Sequence, residues 1–430
     1  MVLSYLQDFG CQSEVLAVDS VAVAAPTDGW LAAGLPGDVP VHRVKALGLG
    51  WGRLPGLGTL TLRALGALRR EGDKLLNSKR FDLIYFSTTQ FGLHVLGPHW
   101  KQKYGTPFVM DYQDPWVNDY YRKHPEIRPP GGRLKHRLAD WLNRQQEPRV
   151  LRHCSGITCV SADYPRQLSA RYPWLKIRSH TEVAELARGQ HSLASVILPF
   201  PGDENDLQRV AGDGTHQNVF SPADGHRHWV YAGRGGADMA LALHGIFGAI
   251  QAYARGKPEF LNELRIHFIG TSYAAAGRGE KSIEPLAAAY GLAEVVREYP
   301  ARLPYSKTLR CLLDASALIV PGSDDPGYTA SKIYPYLLAG KPLLAVFHQQ
   351  SSVVSLLEKV RGGVAISFAS NESEAAIAGR IGRAWLDGEQ FARPVMLDRD
   401  AFAPHTAQEQ TRVLVEFFRW CAVNMPNGLK

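Results

Sequence analysis

The run Leu318-Ile-Val-Pro321-Gly-Ser-Asp324-Asp325-Pro-Gly327-Tyr328-Thr329-Ala-Ser331-Lys332-Ile333-Tyr334-Pro335-Tyr-Leu-Leu-Ala-Gly340-Lys-Pro342-Leu-Leu-Ala-Val-Phe347 reads as strand, turn, short helix and second strand. Leu318–Pro321 is a short apolar run, Asp324-Asp325-Pro-Gly327 has turn composition, and Gly340 stops a helix that Pro342 forbids to continue. Pro335 cannot lie deep inside that helix, because its ring would meet the carbonyl four residues back. Ser331 is therefore expected at or near the N-cap, where a serine hydroxyl serves early amides. The amides of Lys332, Ile333 and Tyr334 then lack intrahelical partners. Beside the Lys332 ammonium they make a place for a diphosphate or a ribose; a plain capped helix with a solvated lysine is the alternative.

The same alternation continues in both directions. Strands are expected at Trp229–Ala232, Arg265–Ile269, Leu343–Phe347 and Val364–Phe368, and earlier at Glu14–Val18, Asp82–Phe86, Phe108–Asp111, Gly156–Val160 and Ser195–Leu198. Helical patterns such as Gly92–Tyr104, Leu134–Arg152 and Met239–Arg255 lie between them. Strands separated by helices imply βαβ units, so the fold class is α/β with two doubly wound parallel sheets. Residues 1–200 are expected to form one domain and 228–400 another. The Gly-, Pro- and Asp-rich stretch 201–227 reads as a linker. Residues 401–430 read as a C-terminal helix, carrying Phe417, Phe418 and Trp420, that crosses back to the first domain. Two such sheets facing a central cleft would hold a ligand there.

At 430 residues the chain exceeds one ordinary core, and a 45% hydrophobic content supplies two. Lys+Arg 48 against Asp+Glu 41 gives +7. That balance suits an anionic ligand or membrane surface and is too small to argue for nucleic acid. Cys11, Cys154, Cys159, Cys311 and Cys421 show no CxxC spacing, which reads as reduced thiols in the cytoplasm. There is no apolar run of about 18 residues and no charged n-region of a secretory signal. His94, His99, His124, His136, His153 and His180 are dispersed, so no metal site and no cofactor are expected.

Three further segments carry candidate chemistry. In Trp229-Val-Tyr-Ala-Gly233-Arg234-Gly235-Gly236-Ala-Asp238 a strand enters a glycine-rich turn that opens a helix. Such turns bring amides to phosphate, and Arg234 adds a forked cation. Gly270 and Thr271 end the strand Arg265–Ile269. In Pro107-Phe-Val-Met-Asp111-Tyr-Gln113-Asp114-Pro115-Trp116, Asp111 and Asp114 are placed to bind acceptor hydroxyls or move a proton. Alternatively, Asp114 caps the next segment and Trp116 sits in the core. The basic stretch Arg133–Arg152 puts Leu134, Leu138, Trp141 and Leu142 on one face, for an anionic bilayer or, more commonly, for packing on the sheet.

Asp111-Tyr-Gln-Asp-Pro-Trp116, Glu147-Pro-Arg-Val-Leu-Arg-His-Cys-Ser-Gly-Ile157, Tyr231-Ala-Gly-Arg-Gly-Gly236 and Ser331-Lys-Ile-Tyr-Pro-Tyr-Leu-Leu-Ala-Gly-Lys-Pro342 together resemble glycosyltransferase family four. The resemblance implies a GT-B fold and a nucleoside-diphosphate sugar donor (UDP-, GDP-, ADP- or dTDP-linked) held mainly by the C-terminal domain. It implies retaining, metal-independent transfer; by analogy with the family, a hexosyl group would go to a glycan or lipid-linked acceptor, as in polysaccharide biosynthesis, in the cytoplasm with or without peripheral contact at the inner face of the membrane. In that frame Arg234 and Lys332 steady the departing diphosphate, while Asp111 and Asp114 serve the acceptor. The donor-binding set is Gly233, Arg234, Gly235, Gly236, Gly270, Thr271, Asp325, Gly327, Tyr328, Thr329, Ser331, Lys332, Ile333 and Tyr334. The chain departs from the family where two glutamates usually stand, at Gly327 and Pro335. It departs again where a lysine usually follows the Gly-Arg turn, at Met239 and Ala240, and at Gln113, a usual histidine. Two rivals follow: a sugar-nucleotide epimerase or hydrolase using Asp324 or Asp325, and a non-catalytic scaffold.

The opening Leu3-Ser-Tyr-Leu6-Gln-Asp-Phe9-Gly10 reads as a helix stopped by Gly10. A helix feeding the strand Glu14–Val18 implies an earlier strand beside it. That first strand is expected to be missing from this sequence.

Overall fold

The computed structural model describes residues 2–23, 28–48, 50, 58–123, 129, 132–180, 192–272, 274, 278–325 and 332–423. The chain divides into two compact units. The first comprises Met1–Thr27, Leu35–Phe200 and Gln410–Lys430, and the second Asp28–Gly34 and Pro201–Glu409.

In the first unit, β1 (Val15–Val18) and β2 (Val41–Val44) pair in parallel as a sheet of their own. The remaining strands are β3 (Ile84–Phe86), β4 (Phe108–Tyr112), β5 (Gly156–Cys159), β6 (Lys176–Ser179) and β7 (Ser192–Ile197). They form a parallel sheet in the order β3-β4-β5-β7-β6. β4 and β5 are buried along their whole length, including the polar Asp111 and Thr158 that they carry. The opening segment is two 3-10 turns, Val2–Ser4 and Gln7–Phe9, rather than an α-helix, and Gly10 ends it at φ 70°. The C-terminal helix Ala407–Val423 lays Phe417 and Cys421 against Val109 and Ala194. Gly156 permits this, since a Cβ there would come within 2.6 Å of both Phe417 and Cys421.

In the second unit, the strands β8 (Arg227–Ala232), β9 (Leu264–Ile269), β10 (Val296–Tyr299), β11 (Ala317–Pro321), β12 (Leu343–His348) and β13 (Val364–Phe368) are parallel, in the order β10-β9-β8-β11-β12-β13. That is the doubly wound order in which the chain runs outward from β8 to one edge, then restarts beside β8 and runs to the other. The switch point between β8 and β11 is where such sheets take ligands, beyond the carboxyl ends of the strands. Fully buried Trp229, Phe247, Phe268, Phe347 and Trp385 belong to one core on this sheet. The Gly- and Asp-rich stretch ahead of β8 is not bare. It contains the helix Glu204–Gly212, capped by Asp203, which puts Leu207 and Val210 into this core.

Candidate functional site

β11 delivers the chain to Gly322 and the exposed Asp324 and Asp325 at the switch point. The described chain resumes at Lys332; Gly327, Tyr328, Thr329 and Ser331 lie outside the described residues. The helix is Ile333–Leu338, with Lys332 in the N-cap position, one residue later than expected. Pro335 thus falls in the first turn, where it breaks no hydrogen bond. The side chains of Ile333 and Tyr334 are buried in the core, so only their backbone can meet a ligand.

The Lys332 side chain turns back across the switch point to β8. Its Nζ donates to Tyr231 Oη at 2.9 Å and lies 4.8 Å from that ring's centroid. The Tyr231 hydroxyl in turn donates to the Arg234 carbonyl at 2.8 Å. A second tyrosine ties the helix to the same strand end: the Tyr336 hydroxyl donates to the Ala232 carbonyl at 3.2 Å and accepts from the Ala232 amide at 2.5 Å. Gly233 makes this approach possible. A Cβ there would fall on Lys332 Nζ and stand 2.9 Å from both Lys332 Cε and Tyr231 Oη. We therefore expect Gly233→Ala to displace the ammonium. Affinity for a diphosphate should fall while thermal unfolding stays near wild type, and calorimetric titration beside a melting curve checks both.

Arg234 is held by a forked pair with Asp238, at 2.9 and 2.6 Å. Gly236 has to be glycine for this pair, because a Cβ would stand 2.9 Å from an Arg234 nitrogen and closer still to Asp238. Arg234 holds the Asp238 carboxyl below its ordinary pKa. Asp238 also fixes the far lip of the site, its carbonyl accepting from the Asp324 amide at 2.8 Å. Arg302, just past β10, packs on Gly270 at the end of β9, where φ is +71°.

Lys332, Arg234 and Arg302 thus gather beyond the carboxyl ends of β8 to β11. Burial first, then Arg234, then Arg302, pulls the Lys332 pKa down to about 7. A dianionic group among these cations would reverse the repulsion and accept charge-assisted hydrogen bonds.

Other expected donor contacts take different roles. The Gly233 and Gly235 amides do not point at a ligand; they donate to the Ile269 and Thr271 carbonyls at 2.8 Å, prolonging the sheet. The Thr271 hydroxyl is also committed, donating to Glu298 Oε1 at 2.6 Å. Glu298 in turn accepts the Ile283 and Glu284 amides at the start of the helix Ile283–Ala288. Reading the sequence did not single out Tyr231, Asp238, Arg302 or Tyr336 as site residues. Asp238 was legible in principle, standing four residues after Arg234, and Tyr336 lies in the decisive run itself.

In the first unit, Asp111 is buried at the end of β4 and accepts from Thr158 Oγ1 at 2.7 Å, Gln113 Nε2 at 2.7 Å and Ser87 Oγ at 3.2 Å. Asp114 is exposed, and partial burial raises its pKa. The structure therefore separates the two acids into an anchored one and a surface one. Trp116 is core, stacked on Phe91 and donating to Asn143. His94 beside it is held neutral by burial, its pKa pulled down to about 4. Among the described residues no cluster of His, Cys, Asp and Glu is arranged for a metal ion.

Against known proteins, residues 1–176 match the model of the glycosyl transferase 4-like domain. Solved structures resemble the whole chain at low identity. The N-terminal domain of trehalose-6-phosphate phosphatase from Candida albicans aligns with TM-score 0.57 and 11% identity, over 98% of this chain and 93% of that one. The UDP-forming trehalose-phosphate synthase from Burkholderia vietnamiensis aligns with TM-score 0.55 and 10% identity, over 98% and 94%. HepE from Anabaena, solved in complex with UDP, aligns with TM-score 0.52 and 14% identity, over 95% and 99%. Behind the residues that match this model the chain continues as a second Rossmann-like unit, and the fold is GT-B. The sequence matches none of the curated proteins with which it was compared. No helix among the described residues is long and apolar enough to cross a membrane.

Proposed function

We propose that the chain is a glycosyltransferase that moves a hexosyl group from a nucleoside-diphosphate sugar to a glycan or lipid-linked acceptor, with retention and without a metal. The observation that carries this reading is the Lys332 ammonium, seated on Tyr231 over Gly233 with Arg234 and Arg302 beside it. When the bond from the sugar to the diphosphate breaks, negative charge grows on the leaving phosphate. Cations already in place stabilise that charge without reorganising, which is where catalysis of this type gains most. HepE was solved with UDP and with UDP-glucose, and the trehalose-phosphate synthase is UDP-forming, so UDP heads the list of nucleotides to test. In this reading the second unit holds the donor and the first serves the acceptor. Asp114 is the acid open to an acceptor hydroxyl, and Asp111 positions its strand end.

Sugar-nucleotide consumption with and without acceptor tests the reading. A transferase consumes donor only when acceptor is present. An epimerase or hydrolase, drawing on the exposed Asp324 or Asp325, would consume it alone. The non-catalytic scaffold remains a defined second reading, because Pro335 stands in the helix where the family usually has a glutamate; it would consume none. Because Lys332 and Arg234 take the role a divalent ion plays elsewhere, turnover should survive chelation. A stoichiometric metal by elemental analysis, or loss of turnover in chelator, would contradict that part.

A further inference from the structure

The helix Arg133–Leu151 in the first unit turns an apolar stripe outward. Leu134, Leu138, Trp141 and Leu142 are 82%, 60%, 57% and 37% exposed. At 3.6 residues per turn the four side chains span about 100° of arc. The sheet-side face is made by other residues. Glu147, Val150 and Leu151 are buried, and Asn143 accepts from Trp116 Nε1. An amphipathic helix normally buries its apolar stripe, so an outward one marks an interaction surface.

The charges on the helix say what that surface meets. Its exposed charged residues are Arg133, Lys135, Arg137 and Arg149, all cationic. Its two acids are engaged away from the stripe: Asp140 pairs with Arg144 at 2.8 Å, and buried Glu147 accepts from Arg171 and Tyr172 at 3.1 and 2.7 Å. By helical geometry Lys135 and Arg137 flank the stripe on opposite sides. Leucines and a tryptophan between Lys135 and Arg137 match a bilayer boundary, with apolar groups in the acyl layer and cations among anionic headgroups. Tryptophan favours that depth because its ring is apolar and its N–H wet.

We propose that this helix docks the chain on an anionic phospholipid surface, with Leu134, Leu138, Trp141 and Leu142 entering the headgroup boundary and Lys135 and Arg137 contacting lipid phosphates. The site is independent of Lys332 and holds whether or not the chain transfers sugars. The test is co-sedimentation of the full chain with vesicles of phosphatidylcholine alone or mixed with phosphatidylglycerol. Binding is expected only to the mixed vesicles, weakening with added salt. It should be about tenfold weaker in Leu138→Ser/Trp141→Ser and in Lys135→Gln/Arg137→Gln. All four side chains are exposed, so melting curves of both variants should match wild type. Brominated lipid should quench tryptophan fluorescence in wild type and do so less in Trp141→Phe, which places the contact at this helix. No binding, equal binding by the variants, or quenching unchanged in Trp141→Phe would overturn the proposal. So would a concentration-dependent dimer, formed without lipid and dissolved by Leu138→Ser/Trp141→Ser, since a second copy would then be the occupant.

Discussion

Replacing Lys332 by methionine is expected to slow sugar-nucleotide turnover by roughly 10²–10³-fold, the usual loss when one preorganised charge donor is removed. The fold should survive, because methionine fills the same channel over Gly233 and no ion pair among the described residues is broken. pH supplies a second signature. In the empty protein the Lys332 pKa is about 7, against an ordinary 10.5. Above pH 7 the ammonium is lost, so diphosphate affinity should decline as pH rises, and binding there should take up a proton. Stability moves the other way. Between about 7 and 10.5 the unfolded chain holds the proton more tightly, so the stability of the empty protein should rise with pH across that window. Lys332→Met should flatten both slopes. Turnover with wild-type pH dependence in the variant would remove Lys332 from the site.

The second large effect is expected at Arg234. Arg234→Ala removes a cation and also uncovers Asp238, whose carboxylate would then face the incoming phosphates. A loss of roughly 10²–10³-fold is expected again. The discriminating variant is the double Arg234→Ala/Asp238→Ala, which should recover part of the lost turnover because the repulsive partner goes too. Arg234→Lys should recover little, since an ammonium cannot reproduce the fork held at 2.9 and 2.6 Å. Kinetics on the three variants measure the coupling directly. If the double variant is as slow as Arg234→Ala or slower, Asp238 is not the latent repulsion inferred here.

What could be read from the sequence follows burial. β11 and β12 are buried at every residue and stood out as apolar runs. β6 and β10 escaped notice because they are four-residue edge strands, Lys-Ile-Arg-Ser and Val-Arg-Glu-Tyr, with too few apolar residues to form a run. The glycine-rich turn and Lys332 could be picked out because Gly and Pro punctuate the chain. Their meeting could not, since it depends on β8 and β11 becoming neighbours across nearly ninety intervening residues. The amides of Gly233 and Gly235 were misread for the same reason: only the pairing of β8 with β9 shows that they prolong a sheet. The helix Arg133–Leu151 turned out opposite to the commoner expectation. Its periodicity gave the apolar face, but not that Val150 and Leu151 would take the inner side instead.

In the proposed function, Lys332, Arg234 and Arg302 hold the diphosphate of a nucleotide sugar. Isothermal titration of UDP, GDP, ADP and dTDP into the full chain at pH 7 and above, for wild type and Lys332→Met, tests it most directly. The claim requires that at least one nucleotide bind the wild type, more weakly as pH rises, and that Lys332→Met lose that binding. Failure of all four to bind, or equal affinity in wild type and Lys332→Met at every pH, would contradict it.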